Sequence, residues 1–232
     1  MLSLTTTQFR EVILVKLICR ILAFAAVVML FAAPASAVPW NVGDSITYSL
    51  SPPVVATPYG SGGLFTITNV NTGAVTKSFC IELNEHIYNG DRVAGISDSA
   101  VAGGRGGGSP DPISSATDWL FAQFATGNSA YGNTAALQLA FWFLEDEVYA
   151  EELTSWVSKG YFSADLLTMA YGYINDARKH NTGSYGTQVL NLMDKDGKYN
   201  HQSQLIRTAE PSTLLILGLG LVGVAGLRRK IK

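Results

Sequence analysis

The 232-residue sequence predicts an α+β fold, mainly an antiparallel β sheet or barrel with a helical insertion, between two apolar terminal segments. Three observations support this class. Segments in which polar and apolar residues alternate open the middle of the chain, similar segments close it, and the stretch between them repeats its apolar residues at helical spacing. The order of strands, helices and strands is typical of a sheet that carries its helices as one insertion.

The first 37 residues predict an N-terminal signal peptide. Three basic residues precede an apolar core at residues 21–33, and the Ala-Ser-Ala sequence that ends at Ala37 is a small-residue cleavage site. An uncleaved signal anchor is the alternative. We therefore expect the mature protein to begin at Val38 and residues 38–208 to form one domain.

Four strands are predicted before the insertion, at residues 44–50, 63–70, 75–83 and 92–96. A Pro-Pro pair is expected to end the first, and an Asn-Thr-Gly turn joins the second and third as a hairpin. In the third strand, alternation places Cys80 on the more polar face, together with Ser78 and Glu82. Packing alone accounts less well for a cysteine on that face.

The middle of the domain is predicted to be helical. A glycine-rich stretch at residues 102–112 predicts a flexible loop, and it lacks the Gly-Lys-Ser/Thr ending of a phosphate loop. Apolar spacing indicates helices from Ser114, at residues 134–148, and from a Ser163 cap to about residue 180. The acidic cluster at residues 145–152 is typical of a solvated surface.

Two strands are expected to close the domain, at residues 188–193 and 202–207, with a turn at residues 194–197 between them. The turn, Asp-Lys-Asp-Gly, resembles the start of a calcium loop, but the later ligands are missing, so a tight turn is predicted. We expect no metal and no cofactor.

Charge and cysteine content limit the possible functions. Residues 38–208 hold sixteen acidic and nine basic side chains, a net charge of −7, whereas binding to nucleic acid needs a basic face. Cys19 lies in the signal peptide, so Cys80 is left alone in the mature domain, where no internal disulfide can form. Intermolecular pairing, a reactive thiol and simple burial remain as explanations.

The chain ends with a polar signature, an apolar run at residues 214–227 and a basic cluster. The signature holds Glu210 and Pro211, and the cluster includes Arg228 and Arg229. Basic residues resist transfer across a membrane, so this segment predicts a C-terminal transmembrane helix with its end on the cytoplasmic side. The tail resembles the PEP-CTERM sorting signal of Gram-negative bacteria that make exopolysaccharide.

The resemblance covers residues 209–232, and Ala209 stands where this family usually has its first proline. It implies that an exosortase-like processing enzyme cleaves the chain near the signature. It also implies anchoring in the inner membrane during sorting, followed by release to the cell surface or the extracellular matrix.

Two further motifs carry a second resemblance. Phe79-Cys80-Ile81-Glu82 has the aromatic-Cys-aliphatic-acid pattern, and residues 137–142, Leu-Gln-Leu-Ala-Phe-Trp, have the Gln-x-Ala-x-Trp pattern. In motif order they are similar to bacterial thioester domains, with Leu137 in place of the usual threonine and a shorter separation between Cys80 and the late glutamines. These domains also carry a late glutamine on a strand, where this chain has residues 202–205, Gln-Ser-Gln-Leu.

This second resemblance implies an internal Cys-Gln thioester. The thiolate of Cys80 attacks a glutamine carbonyl and ammonia leaves, which gives an acyl group activated towards amines. Gln202 is the first candidate partner and Gln204 the second. Gln138 is implied as a supporting residue, and Trp142 is expected to exclude water from the bond.

Three classes of function stay open. The first is a non-enzymatic, exported surface or matrix protein that attaches to an amine-bearing partner through Cys80. The second is a structural or polysaccharide-matrix-binding module without the bond. The third is an extracytoplasmic cysteine hydrolase, in which Cys80 acts with one of three histidines: His86, His180 or His201.

Overall fold

A computed structural model describes residues 40–207 of the chain. Residues Val38–Thr208 form one compact unit with its own hydrophobic core. The predicted signal peptide and C-terminal helix lie outside the described residues. Within the described range, no helix has the length and hydropathy needed to cross a membrane.

The order of elements is strands, helices and strands, which confirms the α+β class. The first group is β1 (Ile46–Thr57), β2 (Gly60–Asn69), β3 (Val75–Ser78), β4 (Arg92–Ser97), β5 (Ser99–Ala100) and β6 (Asp111–Pro112). The helices are α1 (Ser115–Ala125), a 3₁₀ turn (Ser129–Tyr131), α2 (Thr134–Leu144), α3 (Ala150–Ser158) and α4 (Ala164–Arg178). The last strands are β7 (Thr187–Met193) and β8 (Asn200–Arg207).

Strand β1 continues past the proline pair that was expected to end it. The register of β1 on β2 shifts between Ser51 and Val54, so Pro52 and Pro53 lie in a bulge. A proline lacks the N–H that a regular ladder needs, and a bulge removes that need. The prediction that the strand ends at residue 50 is therefore wrong.

Six antiparallel strands follow one another in a ring, in the order β1, β2, β3, β8, β7, β4. The two three-stranded sheets meet at two seams. At the Cys80 seam, residues 79–81 bond to β8, through Ile81 N to Ser203 O (3.1 Å) and Leu205 N to Phe79 O (2.9 Å). At the Ser45 seam, residues 43–46 bond to residues 90–93, for example through Ile46 N to Asp91 O (2.8 Å).

The third strand changes partners in mid-course. Residues 75–78 pair with β2, whereas residue 80 forms a bridge with Gln204 of β8. The sequence predicted one continuous strand over residues 75–83 with a polar and an apolar face. In the structure residues 78–83 are all buried, because β8 covers one edge and the helices cover the rest.

Helix α2 lies at the centre of the domain. Its first nine residues are all buried, and it packs against β1, β2 and α4. The side chain of Asn133 caps its start by accepting from Ala136 N at 3.0 Å. The helix ends at Leu144, earlier than predicted, because Asp146 adopts a positive φ of 57°. A helix that is apolar on every side belongs in a core.

The predictions for the other helices agree with the structure in part. Helix α4 begins as predicted, with the Ser163 hydroxyl accepting from Leu166 N at 3.2 Å. Helix α3 was not predicted, because it is short and buries only Leu153 and Trp156.

The glycine-rich loop is held by a buried carboxylate. Glu147 Oε1 accepts from Arg105 N (2.7 Å) and Gly106 N (3.1 Å), while Oε2 accepts from Leu83 N (2.7 Å). The prediction of a solvated acidic cluster is wrong for Glu145 and Glu147, which are buried, whereas Asp146 and Glu151 are exposed. A buried carboxylate must be hydrogen-bonded, and the loop supplies backbone donors.

Candidate functional site

Cys80 is fully buried at the seam between β3 and β8, and a glutamine of α2 holds it on two sides. Its Sγ lies 3.4 Å from Gln138 Oε1, and Gln138 Nε2 donates to the carbonyl oxygen of Cys80 at 2.8 Å. Gly63 N donates to the same Oε1 at 3.2 Å. The Gln138 amide therefore ties β2, α2 and the Cys80 segment together.

Gln204 is the residue directly opposite Cys80 across the seam. Opposite residues of an antiparallel pair carry their side chains on the same face, with Cβ atoms about 4.5–5.5 Å apart. The Gln204 amide is fully buried, and both of its polar atoms are hydrogen-bonded. Its Oε1 accepts from Ser78 Oγ (2.9 Å), and its Nε2 donates to Gln202 Oε1 (3.1 Å).

Gln202 lies on the same strand face but points its amide elsewhere. Its Nε2 donates to two carbonyl oxygens, those of Glu82 (3.0 Å) and Glu85 (2.8 Å). These bonds fix the chain just after Cys80. Of the two candidate glutamines, Gln204 thus faces Cys80 across the strands, while Gln202 supports the Gln204 amide and the turn beyond it.

Glu82 completes this buried polar group. Its Oε2 accepts from Ser203 N at 2.8 Å, and Oε1 has no hydrogen-bond partner in the described part of the chain. Burial raises the pKa of Glu82 well above its usual value, and the charge of Glu85 raises it further. Burial therefore disfavours the charged form of this carboxyl.

The thiol of Cys80 is also held in its neutral form. Burial raises the pKa of Cys80 well above its usual value, with Glu82 contributing next. The nearby indole N–H of Trp142 lowers the pKa of Cys80 in part. Trp142 Nε1 does not, however, approach any acceptor of the described residues with the distance and angle of a hydrogen bond. A thiol with a raised pKa is a weak nucleophile until its proton is removed.

Gly62 allows α2 to approach β2 closely enough to form this site. A Cβ at Gly62 would lie 2.6 Å from two ring carbons of Trp142 and 2.9 Å from Cγ of Gln138. Any larger residue would push both side chains away. The absence of a side chain at residue 62 is what lets Gln138 reach Cys80.

None of the three histidines forms a hydrogen bond with Cys80 within residues 40–207. His201 Nδ1 pairs with Asp91 Oδ1 at 2.9 Å, and His180 stacks on Trp119 with 4.2 Å between ring centroids. His86 lines a surface cleft. The arrangement needed for a cysteine hydrolase, a base in contact with the thiol, is therefore not formed by these side chains.

A cleft of about 400 Å³ opens beside the Cys80 site. Trp142 and Gln202, which both belong to the site, line its floor. The remaining walls are mainly aromatic and polar: Tyr48, Leu50, Tyr59, Gly60, Ser61, Phe65, Leu83, Glu85, His86, Ile87 and Tyr88. The Cys80 side chain itself does not reach the cleft.

The described residues contain no group of three or more His, Cys, Asp and Glu side chains that could hold a metal ion. The turn at residues 194–197 is closed by Gly197 N to Asp194 O at 3.0 Å. Lys198 N also donates to the Asp194 carboxylate at 2.6 Å. Asp194 therefore serves the tight turn that the sequence predicted.

Comparison with known proteins identifies the end of the chain. A family model described as the PEP-CTERM protein-sorting motif matches residues 210–230. No curated protein and no solved structure matches the chain significantly. These comparisons give no support to a thioester domain in the middle region.

The match confirms the predicted sorting tail and covers Glu210, Pro211, Arg228 and Arg229, which lie outside the described residues. The motif indicates that the protein is exported and sorted through the membrane to the cell surface, with processing by an exosortase. Membrane anchoring belongs to that sorting step.

Sequence reasoning missed several residues that build the site. Gly63 was noted only as the start of a strand, Gly62 was not noted, and Glu147 was noted only as part of an acidic surface. A glycine inside a strand often marks a close approach of another element, but residue 62 lies inside β2 only because the strand begins at Gly60, earlier than predicted. The aromatic cleft had no signal in the sequence, because its residues come from separate segments.

Proposed function

We propose that this exported protein attaches covalently to an amine through an internal thioester between Cys80 and Gln204. The observation that carries the proposal is the facing pair: a cysteine and a glutamine opposite each other across two strands, both fully buried. The choice of Gln204 over Gln202 rests on this register. The sorting tail supplies the context, an export route to the cell surface.

The chemistry requires two steps. In the first, Cys80 Sγ attacks the side-chain carbonyl carbon of Gln204, the carbon–nitrogen bond breaks, and ammonia leaves with the thiol proton. In the second, a primary amine attacks the thioester, an amide forms on Gln204, and the thiol of Cys80 is regenerated with a proton from the amine. The protein is used once, so it is not an enzyme.

Three features of the site support the first step. The Gln138 carbonyl oxygen accepts from the Cys80 thiol and fixes its position. Ser78 Oγ lies 2.9 Å from the Gln204 carbonyl oxygen, where negative charge develops during attack, and its single proton is shared between this oxygen and Leu205 O at 2.7 Å. Fixed proximity lowers the barrier of a reaction between poor partners. The raised pKa of Cys80 opposes the step, so we expect slow formation during or after folding.

Burial supports the lifetime of the bond. Cys80 and Gln204 have no exposed surface, and Trp142 separates them from the cleft with only 2% of its own surface exposed. A thioester in such a place is protected from hydrolysis until an amine enters.

The test is the intact mass of the exported protein, before and after treatment with methylamine. We expect a mass lower than the sequence requires by one ammonia, and addition of one methylamine on treatment. Cys80→Ala and Gln204→Glu should both have the unmodified mass. Gln123→Glu, which makes the same change on the partly exposed face of α1, is the matched control and should keep the deficit. A wild-type mass without a deficit, together with a free thiol in denaturant, would reject the thioester.

A binding module without the bond is the second candidate. The neutral, hydrogen-bonded thiol of Cys80 fits a purely structural role, and the cleft is complete without any covalent chemistry. The mass experiment separates the two candidates, since this module carries an unmodified Cys80 and gives no adduct.

A further inference from the structure

The cleft beside the Cys80 site combines aromatic walls with a carboxylate. We propose that it binds an organic ammonium group, and that in doing so it selects the amine that the buried site takes up. The selection of the amine rests on the proposed thioester, whereas the binding of an ammonium group does not. The volume, about 400 Å³, is in the range of small-molecule sites.

Aromatic faces supply the first part of the argument. Tyr59 and Tyr88 line the cleft with 39% and 52% of their surface exposed, and the partly buried Tyr48 adds a third ring. A cation over the face of an aromatic ring is attracted by the ring quadrupole, and groups of such rings bind ammonium ligands. The guanidinium of Arg105 already lies over the Tyr59 ring, 4.7 Å from its centroid.

The charge of the cleft supplies the second part. Glu85 lies in its wall, half-buried, and the charge of Glu147 reaches it. Among the described residues that line the cleft, none is Lys or Arg. The charge of Arg105, at the rim, is compensated by Glu152 at 2.9 Å. The imidazole of His201 is the basic group that acts on the pKa of Glu85. A partly desolvated carboxylate with no Lys or Arg in the same cleft favours a cationic ligand over a neutral or anionic one.

The position of the cleft supplies the third part. Trp142 and Gln202 form part of its lining, and the Gln202 amide contacts that of Gln204 at 3.1 Å. Trp142 also lies near enough to Cys80 to affect the pKa of the thiol. An ammonium group in the cleft is therefore one side chain away from the facing pair. Displacement of Trp142 opens that path.

The experiment measures ammonium binding without any acyl chemistry. Calorimetric titration of the exported protein with choline, whose quaternary nitrogen cannot form an amide, is compared with titration by 3,3-dimethyl-1-butanol, its neutral analogue. The Cys80→Ala variant is titrated in parallel. We expect choline to bind to both proteins about tenfold more tightly than the neutral analogue.

Variants locate the site. Glu85→Gln and Tyr59→Leu should each weaken choline binding by about tenfold. Glu151→Gln is the matched control, because it removes one carboxylate from the exposed start of α3, and it should leave the affinity unchanged. Thermal unfolding of each variant confirms that the domain is folded. Equal binding of choline and the neutral analogue, or equal loss in the control, would overturn the proposal.

Competition distinguishes the possible sources of the ammonium group. Displacement of choline by Nα-acetyl-lysine amide indicates a lysine side chain of a protein, and displacement by glucosamine indicates an amino sugar of a polymer. Displacement by neither contradicts the proposal. Because Cys80→Ala cannot form a thioester, choline binding to this variant tests the cleft alone, and the mass experiment tests the bond alone.

Discussion

The two seams that close the ring of strands do the same structural work with different side chains. The Ser45 seam joins β1 to β4 through backbone hydrogen bonds, and its bridging residues, Ser45 and Arg92, reach solvent. The Cys80 seam joins the third strand to β8 through similar backbone bonds. Its bridging residues, Cys80 and Gln204, are fully buried.

The difference teaches that a seam of this ring can close with far fewer buried polar side chains. Among residues 43–46 and 90–93 of the Ser45 seam, the one buried polar side chain is Asp91, whereas the Cys80 seam buries Cys80, Gln202, Gln204 and Glu82. Burying such groups costs free energy wherever a polar atom lacks a hydrogen-bond partner, as Glu82 Oε1 does in the described part of the chain. Polar groups that the fold does not need are the ones to examine for function.

The largest expected effect comes from removing the Gln138 amide. Gln138→Leu leaves Cys80 O and Gly63 N without their partners inside the core, and we expect a loss of about 3–5 kcal/mol in the free energy of unfolding. Asn71→Leu is the matched change at the Ser45 seam. It removes an acceptor from Ser45 N in an exposed place, and about 1 kcal/mol or less should be lost.

Urea unfolding of both variants measures this contrast. Equal losses would show that the polar groups of the two seams are worth the same, and would remove the reason for treating the Cys80 seam as special.

The second effect concerns the close approach of α2. Gly62→Ala inserts a Cβ against Trp142 and Gln138, and overpacking of this kind costs about 1–3 kcal/mol. Gly95→Ala, in β4, is the control, because a Cβ there meets no atom within 4 Å and the backbone is not left-handed. Its effect should stay within about 0.5 kcal/mol.

Proton exchange of the Trp142 indole, followed by NMR, adds a local measurement. In Gly62→Ala the exchange rate of this proton should increase even if the domain remains folded. An unchanged exchange rate would mean that α2 shifts as a whole and that the contacts of Trp142 are kept.

The third effect is a pH dependence of opposite sign at the two seams. Burial raises the pKa of Glu82 above its ordinary 4.5, so the stability linked to this carboxyl is complete below pH 4.5 and is lost as pH rises through the folded pKa. A hydrogen bond from Asn69 lowers the pKa of Asp44 below 3.8. Its contribution is present above pH 3.8 and is lost as pH falls through the folded pKa.

The two isosteric variants should therefore diverge from the wild type in opposite directions. Relative to the wild type, the Tm of Glu82→Gln should rise with pH above 4.5, by about 2–4 °C. The Tm of Asp44→Asn should be below that of the wild type at neutral pH and should converge with it in acid. Parallel Tm curves between about pH 3 and pH 8 would contradict both assignments.

Local patterns in the sequence were enough for most elements. Alternation predicted the β2–β3 hairpin, and Ser163 predicted the start of α4, because both depend on neighbouring residues. The end of α2 was missed, since it depends on Glu145 and Glu147 leaving the helix to bond with distant loops. Five acidic residues close together are typical of a surface until such partners are known.

The sequence was enough to predict which residues belong to the candidate site, but not which glutamine lies opposite Cys80. Gln202 and Gln204 are the same residue type on the same strand face, so no local property separates them. Only the register of β8 against residues 79–81 does so, and that register joins segments far apart in the chain. The change of partner at Phe79 was hidden for the same reason. The sequence there reads as one uninterrupted strand.

Strand β8 has a mechanical consequence for a protein that is tethered by its tail. It is the last described element, ending at Arg207, and it is bonded to β7 on one edge and to residues 79–81 on the other. Tension transmitted from the tail enters the domain along this strand. With both edges held, the strand has no free side from which it can be peeled, and its ladder bonds share the load rather than breaking singly.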